Sequence, residues 1–203
     1  MPPASPTPSP TAAISPATTP QPLPTGAIRL AVVPDRSRAT IRVREQVANE
    51  PAPGEVSLTT TAFAGSLVLL ADGTFAPGST IAVTLDSLKS DSDLRDEWIK
   101  ISTLQTRVYP YAEFTAARVD GVPLPLPASG EWNAKIAGTM KIYGTERPLV
   151  WDLKITRSAA QTRASGTTAF RFGDYGMVVP ANRLVLSVVD DLRLEIDVVA
   201  RDD

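Results

Sequence analysis

Apolar and polar side chains alternate with period two through most of the chain after Gly26, the signature of half-buried antiparallel strands. Between Arg38 and Val47, Ile41, Val43 and Val47 share one face and Arg42, Arg44 and Gln46 the other. Trp132 to Ile142 sets Trp132, Ala134, Ile136, Gly138, Met140 and Ile142 against Asn133, Lys135, Thr139 and Lys141. Leu149, Trp151, Leu153 and Ile155 alternate with Asp152 and Lys154. The last run sets Leu192, Leu194, Ile196 and Val198 against Arg193, Glu195 and Asp197. Further strands are predicted at Ile28–Val33, Ser57–Leu70, Thr80–Asp86, Tyr111–Val119, Ala164–Phe172 and Leu184–Val189. Asp72-Gly73 reads as a two-residue turn and Gly144-Thr145 as a reversal. One helix interrupts the series: Ser90 or Asp91 caps it, and Leu94, Trp98, Ile101 and Gln105 trace its packed face.

Eight to ten strands with one short helix predict an all-β fold, most economically an antiparallel β-barrel, because closure leaves no unpaired edge. A two-sheet sandwich is the alternative. Nine of the 19 prolines fall within the first 25 residues, which are otherwise mainly Ser, Thr and Ala, and no charge precedes Arg29. Such a segment has too little apolar surface to offset the entropy of ordering. The chain therefore divides into a disordered Pro/Ser/Thr-rich spacer, 1–26, and a folded domain, 27–203. A spacer of this kind suits a tether to a surface, and the expected location is extracytoplasmic: periplasmic, secreted or surface-attached.

The 20 basic and 22 acidic side chains balance to a net charge of −2, which argues against nucleic acid as a partner. There is no cysteine and no histidine, so thiolate chemistry, disulfides and the commonest metal ligand are excluded. We find no glycine-rich phosphate cradle, no nucleophile elbow and no metal-ligand spacing. The expectation is a protein that is not an enzyme and needs no cofactor. Arg95 and Asp96 read as a partly buried pair fixing the helix to the barrel. Asp91, Asp93, Asp96 and Glu97 read as helix-start solvation, not a calcium loop. Lysines and arginines on the strands read as a solvated outer face.

Several blocks then carry a family resemblance. Leu94-Arg95-Asp96-Glu97 followed by Tyr109-Pro110-Tyr111-Ala112-Glu113-Phe114 resembles the "RD … YP-x-A-x-F" signature of the YceI-like family. Gly138-Thr139-Met140-Lys141-Ile142-Tyr143-Gly144-Thr145-Glu146-Arg147-Pro148 resembles its "G-x-L-x-I-x-G-x-x-x-P" hairpin. Phe172-Gly173-Asp174-Tyr175-Gly176-Met177 is similar to its "F-x-D-F-G-M" segment, and Ser187-Val188-Val189-Asp190-Asp191 to its "S-V-x-D-D". The blocks occur in family order across about Ala27 to Asp203. The resemblance implies a lipocalin-like barrel that encloses a polyisoprenoid or other long-chain lipid outside the cytoplasm. Where many relatives carry a histidine, Pro34-Asp35-Arg36-Ser37 has an arginine, and Pro51, Pro53 and the Pro123–Pro127 run set the chain apart.

An apolar chain needs depth and apolar walls, not paired charges. The expected lining is Phe63, Leu67, Val83, Phe114, Trp132, Met140, Trp151, Phe170, Phe172 and Met177, with Trp98 closing one end. The same residues would serve as plain core in a surface interaction module with a filled barrel. Small residues opposite the aromatics, Ala62, Ala64, Ala116 and Ala134, would favour a hollow interior.

Overall fold

The computed structural model describes residues 23–48, 51–159, 161–180 and 185–203. Most of the predicted spacer lies outside the described residues, as does Leu184. Eleven strands form one antiparallel sheet: β1 (Ile28–Val32), β2 (Arg38–Val47), β3 (Gly54–Thr60), β4 (Phe63–Leu69), β5 (Thr80–Thr84), β6 (Tyr111–Asp120), β7 (Gly130–Ile142), β8 (Thr145–Ser158), β9 (Gln161–Phe170), β10 (Val185–Val188) and β11 (Leu192–Asp202). The ring runs β1-β4-β5-β6-β7-β8-β9-β11 and closes through β1 on β11. The fold is thus an eight-stranded closed barrel, not a sandwich.

Three staves of this barrel are broken strands. β1 and β2 are separated by a 3-10 turn at Pro34–Arg36, and both lie along β11. Ser37 fixes this bend, its hydroxyl donating to the Val33 carbonyl (2.8 Å) and accepting from the Val199 N–H (3.1 Å). Arg36 is on the surface and donates to Gln161 Oε1 at 2.6 Å. The predicted single strand Ser57–Leu70 is likewise two, β3 on β2 and β4 on β1. The break falls where Thr60 Oγ1 accepts from the Ala62 N–H (3.0 Å) and sits 2.6 Å from Ser87 Oγ, diverting the backbone from the ladder. β10 continues the line of β11 along the far end of β2.

The turns depart slightly from expectation. Ile142 pairs with Thr145, so the β7–β8 turn is Tyr143-Gly144, both at positive φ (53° and 74°), as a type I′ hairpin requires. Tyr143 is held there by Tyr109, whose ring centroid is 4.6 Å away, and by Gln105 Nε2, which donates to its hydroxyl at 2.5 Å. At Asp72-Gly73 only Gly73 has positive φ; Asp72 instead accepts from the Thr74 N–H at 2.9 Å. The strand predicted to end at Phe172 ends at Phe170, and Phe172 opens a 3-10 turn, Phe172–Tyr175.

The helix is the main correction. Helix α1 spans only Asp93–Trp98, is capped by Ser92 rather than Ser90 or Asp91, and runs into a π-turn at Ile99–Thr103. Of the predicted packed face, Leu94 (83% exposed) and Ile101 (58%) point outward, while Trp98 and Gln105 are half-buried. Asp96 is buried instead, accepting from the Ser90 N–H (2.8 Å) and Ser90 Oγ (2.7 Å). Arg95 and Asp96 do not pair with each other: Arg95 reaches Glu45 on β2 (3.4 Å) and also Asp91, while Asp96 faces Lys89 (3.5 Å). The π-turn adds a residue to the helical repeat, so Leu104 enters the core in place of the expected Ile101 and Gln105.

Candidate functional site

The inward faces of the strands enclose a cavity of about 180 Å³. Its wall is almost wholly apolar; Thr40, Thr60, Thr162 and Glu195 are its polar residues. Val122 and Leu126, from the proline-containing loop between β6 and β7, cover one end. Leu85, Leu88, Leu104 and Met177 cover the end beside α1.

Eight of the eleven residues expected in the lining face this cavity: Phe63, Leu67, Val83, Phe114, Met140, Trp151, Phe170 and Met177. Alternation places them there, since each occupies the inward parity of its strand or, for Met177, follows the 3-10 turn back over the barrel end. Phe114 and Trp151 meet edge to face, centroids 6.4 Å apart. Gly138 makes room for that pair: a Cβ there would lie 2.6 Å from Phe114 Cζ and 2.3 Å from the Thr115 carbonyl oxygen. The Phe170 ring packs against Tyr175 at 4.8 Å.

Three of the eleven lie elsewhere. Trp132 is half-buried at the proline-loop end, its ring over Gly130, where a Cβ would fall 2.3 Å from Trp132 Cζ2. Phe172 is buried in the core behind the cavity wall. Trp98 sits half-buried on α1, away from the lining. Of the small residues expected inside, Ala116 and Ala134 are buried, but Ala64 is exposed because it follows inward-facing Phe63 and so takes the opposite parity.

One inward residue escaped the sequence reading. Arg157 is 5% exposed and continues the inward row Leu149, Trp151, Leu153, Ile155 on β8. Residue type argued for the solvated face, but the alternation extended by one step puts it inside. It forms an ion pair with Asp202. Three of the four polar wall residues have side-chain partners: Glu195 pairs with Arg42 (3.0 Å) and Arg193 (3.3 Å), Thr60 with Ser87, and Thr40 with Thr59 (3.5 Å). Tyr175 is fully buried beside the site, and burial pushes its phenol up to about 12, with Asp174 adding to the rise and Arg147 opposing it.

Among the described residues no group of three or more His, Cys, Asp or Glu converges as a metal site, and no helix is long and apolar enough to cross a membrane. Of the ten exposed large apolar side chains among the described residues, seven belong to segments at the helix end: Leu94, Ile101, Val108, Tyr111, Val178, Leu186 and Val189.

A closed antiparallel barrel around an apolar hollow defines the class as small single-cavity barrels. Residues 30–200 match the YceI-like domain model, and the chain belongs to that family. Comparison with curated proteins finds no match. Among solved structures it is similar to Burkholderia cenocepacia BcnA, at 14% identity and TM-score 0.61 over 83% of this chain and 99% of that one. It is also similar to a polyisoprenoid binding domain from Saccharophagus degradans implicated in plant cell wall breakdown, at 11% identity and TM-score 0.62 over 88% and 99%. The Campylobacter jejuni YceI protein shares 16% identity at TM-score 0.53 over 70% and 81%. At these identities the likeness concerns the fold.

Proposed function

We propose that the protein binds and carries a slender apolar lipid, of polyisoprenoid or similar long-chain type, outside the cytoplasm. The observation that carries this reading is the apolar cavity itself. Cores pack to crystal-like density with few voids larger than a water molecule, so a hollow of about 180 Å³ inside the barrel argues against the filled interaction module. The description of the Saccharophagus degradans neighbour as polyisoprenoid binding supports the ligand class. The Pro/Ser/Thr-rich stretch and the family resemblance support the extracytoplasmic placement and a tether.

Phe63, Leu67, Val83, Phe114, Met140, Trp151, Phe170 and Met177 form the proposed contact wall, with Trp132 and Phe172 packed in the core around it. The size of the hollow constrains the mode of binding. Pockets for drug-sized ligands measure roughly 300–1,000 Å³. The cavity of about 180 Å³ falls below that range. A long chain therefore lodges one stretch inside and runs out past the helix end, where the exposed apolar side chains collect, or it widens the barrel as it enters. Each enclosed methylene contributes roughly 0.8 kcal/mol.

Native mass spectrometry of gently purified full-length protein, followed by solvent extraction, tests the reading. A stoichiometric adduct that extracts as an isoprenoid or acyl lipid is expected. Apo protein that also refuses added isoprenoids would overturn it. Fractionation of cells expressing the full gene product checks the location separately, and recovery in the cytoplasm would refute the extracytoplasmic placement.

A further inference from the structure

At the end under the proline-containing loop a polar cluster adjoins the cavity: Thr162 lines the wall, and Arg157 and Asp202 stand beside it, just beyond the lining residues. The inward row of β8 finishes in Arg157, whose Nε and Nη1 are buried with no acceptor among the described residues. Its remaining nitrogen, Nη2, pairs with Asp202, whose own Oδ1 is buried with no donor. Directly across the β8–β9 pair from Arg157 stands Thr162, a cavity-wall residue with a buried and unpartnered Oγ1. Thr162 also faces Ala200 across the β9–β11 pair, which brings the end of β8, the start of β9 and the end of β11 together at this point. The other three polar residues of the wall all have side-chain partners. Among the described residues, unmet hydrogen-bonding capacity is thus concentrated beside one end of a mostly apolar hollow. Leaving buried donors of a charged group unmet is costly, so such a cluster calls for a complement.

We propose that Arg157, Thr162 and Asp202 form a polar seat for the oxygen-bearing end of the bound chain, and that this end is uncharged, an alcohol or carbonyl. The inference rests on the lipid-binding reading and deepens it. The charge of the guanidinium is already met by Asp202, so the seat is neutral as a whole. A phosphate would have to leave water for a pocket that also holds the Asp202 carboxylate, with no further cation at hand among its members. An uncharged oxygen meets no such penalty: it accepts from Arg157 Nε or Nη1, and an alcohol proton returns a bond to Asp202 Oδ1 or Thr162 Oγ1. The seat also orients the ligand, with the oxygen end under the proline-containing loop and the hydrocarbon running toward α1.

The test compares farnesol, farnesyl phosphate and the hydrocarbon farnesene on the full-length protein, by tryptophan fluorescence titration and native mass spectrometry. Wild type is expected to bind farnesol at least about tenfold more tightly than either of the others. Arg157→Met and Thr162→Val should each lower farnesol affinity toward that of farnesene while leaving farnesene binding within about twofold. Equal affinity for farnesol and farnesene in the wild type, or a preference for the phosphate, overturns the seat while leaving the lipid-binding reading standing. Failure of all three to bind overturns both. Should Arg157→Met not fold, the wild-type series and Thr162→Val still decide the matter.

Discussion

Replacing Ala164 by leucine separates a hollow barrel from a filled one by the sign of a stability change. Ala164 lies on the inward side of β9, between cross-strand partners Ile155 and Val198, and lines the cavity. Leucine adds three carbons, which a hollow of about 180 Å³ can accept. Burying them at roughly 0.8 kcal/mol per methylene yields about 2 kcal/mol, from which about 0.5–1 kcal/mol of lost rotamer freedom is subtracted. The net expectation is a gain of about 1–1.5 kcal/mol, or a rise in Tm of roughly 2–6 °C for a domain of this size. In a close-packed interior the same substitution would overpack and cost about 1–3 kcal/mol. Urea unfolding of delipidated protein measures the difference through the midpoint at constant m-value. The variant should also lose most of its lipid uptake. A lowered midpoint would refute the cavity, and full uptake at raised stability would show that the ligand sits elsewhere.

Other perturbations follow from the same geometry. Trp151→Ala removes a buried ring and its edge-to-face contact with Phe114, and should cost about 3–5 kcal/mol in denaturant unfolding; a loss under 1 kcal/mol would contradict its place in the wall. Gly138→Ala drives a Cβ into the Thr115 carbonyl and the Phe114 ring, and should cost about 1–3 kcal/mol by the same measurement. Burial works against ionisation of Asp96, but hydrogen bonds from the Ser90 hydroxyl and N–H and the nearby Lys89 outweigh it and hold the carboxyl below its usual range. Its stabilisation is therefore present above a pH of about 3.9 and is lost as pH falls through the lowered folded value. Asp96→Asn should be less stable at neutral pH and converge with wild type in acid; a gap unchanged down to the acid transition would refute this. Tyr175, raised to about 12 chiefly by burial, keeps its stabilising neutral form below a pH of about 10 and loses that contribution as pH rises through about 12. Tyr175→Phe removes a buried hydroxyl without a partner, so it should match wild type at neutral pH and flatten the alkaline loss seen by circular dichroism.

How far the chain could be read in advance depended on how many residues carried each signal. β7 and β8, with 13 and 14 residues, repeat the alternation often enough that parity alone assigns Met140 and Trp151 inward. Parity does not say how far along the barrel a residue sits, which is why Trp132 lies at an end and not on the cavity. The six residues of α1 are too few for apolar spacing to outweigh specific bonds, so Asp96 and Arg95 turned the helix and left Leu94 outside. The strand breaks at Pro34–Arg36 and Thr60 depend on hydroxyls of Ser37, Thr60 and Ser87 that meet only after folding. Arg157 was legible from position and misjudged from chemistry: arginine on a strand is usually solvated, and here the period was the better guide.

The seam that closes the ring has a kinetic consequence. Strands β5 to β9 join neighbours in sequence, whereas closure pairs Leu30 with Asp202 and Ala39 with Ile196, partners from opposite ends of the folded chain. Contacts of such separation are the slowest to form, because their loop-closure entropy is lost before they contribute anything in return. The meander should therefore assemble first and the seam lock last. Opening should retrace that order, with amides of β1 and β2 exchanging with solvent hydrogen ahead of those of β7 and β8. A barrel that unzips along one line exposes its interior without unfolding, and the lifetime of that opening would set the pace at which an enclosed molecule is exchanged.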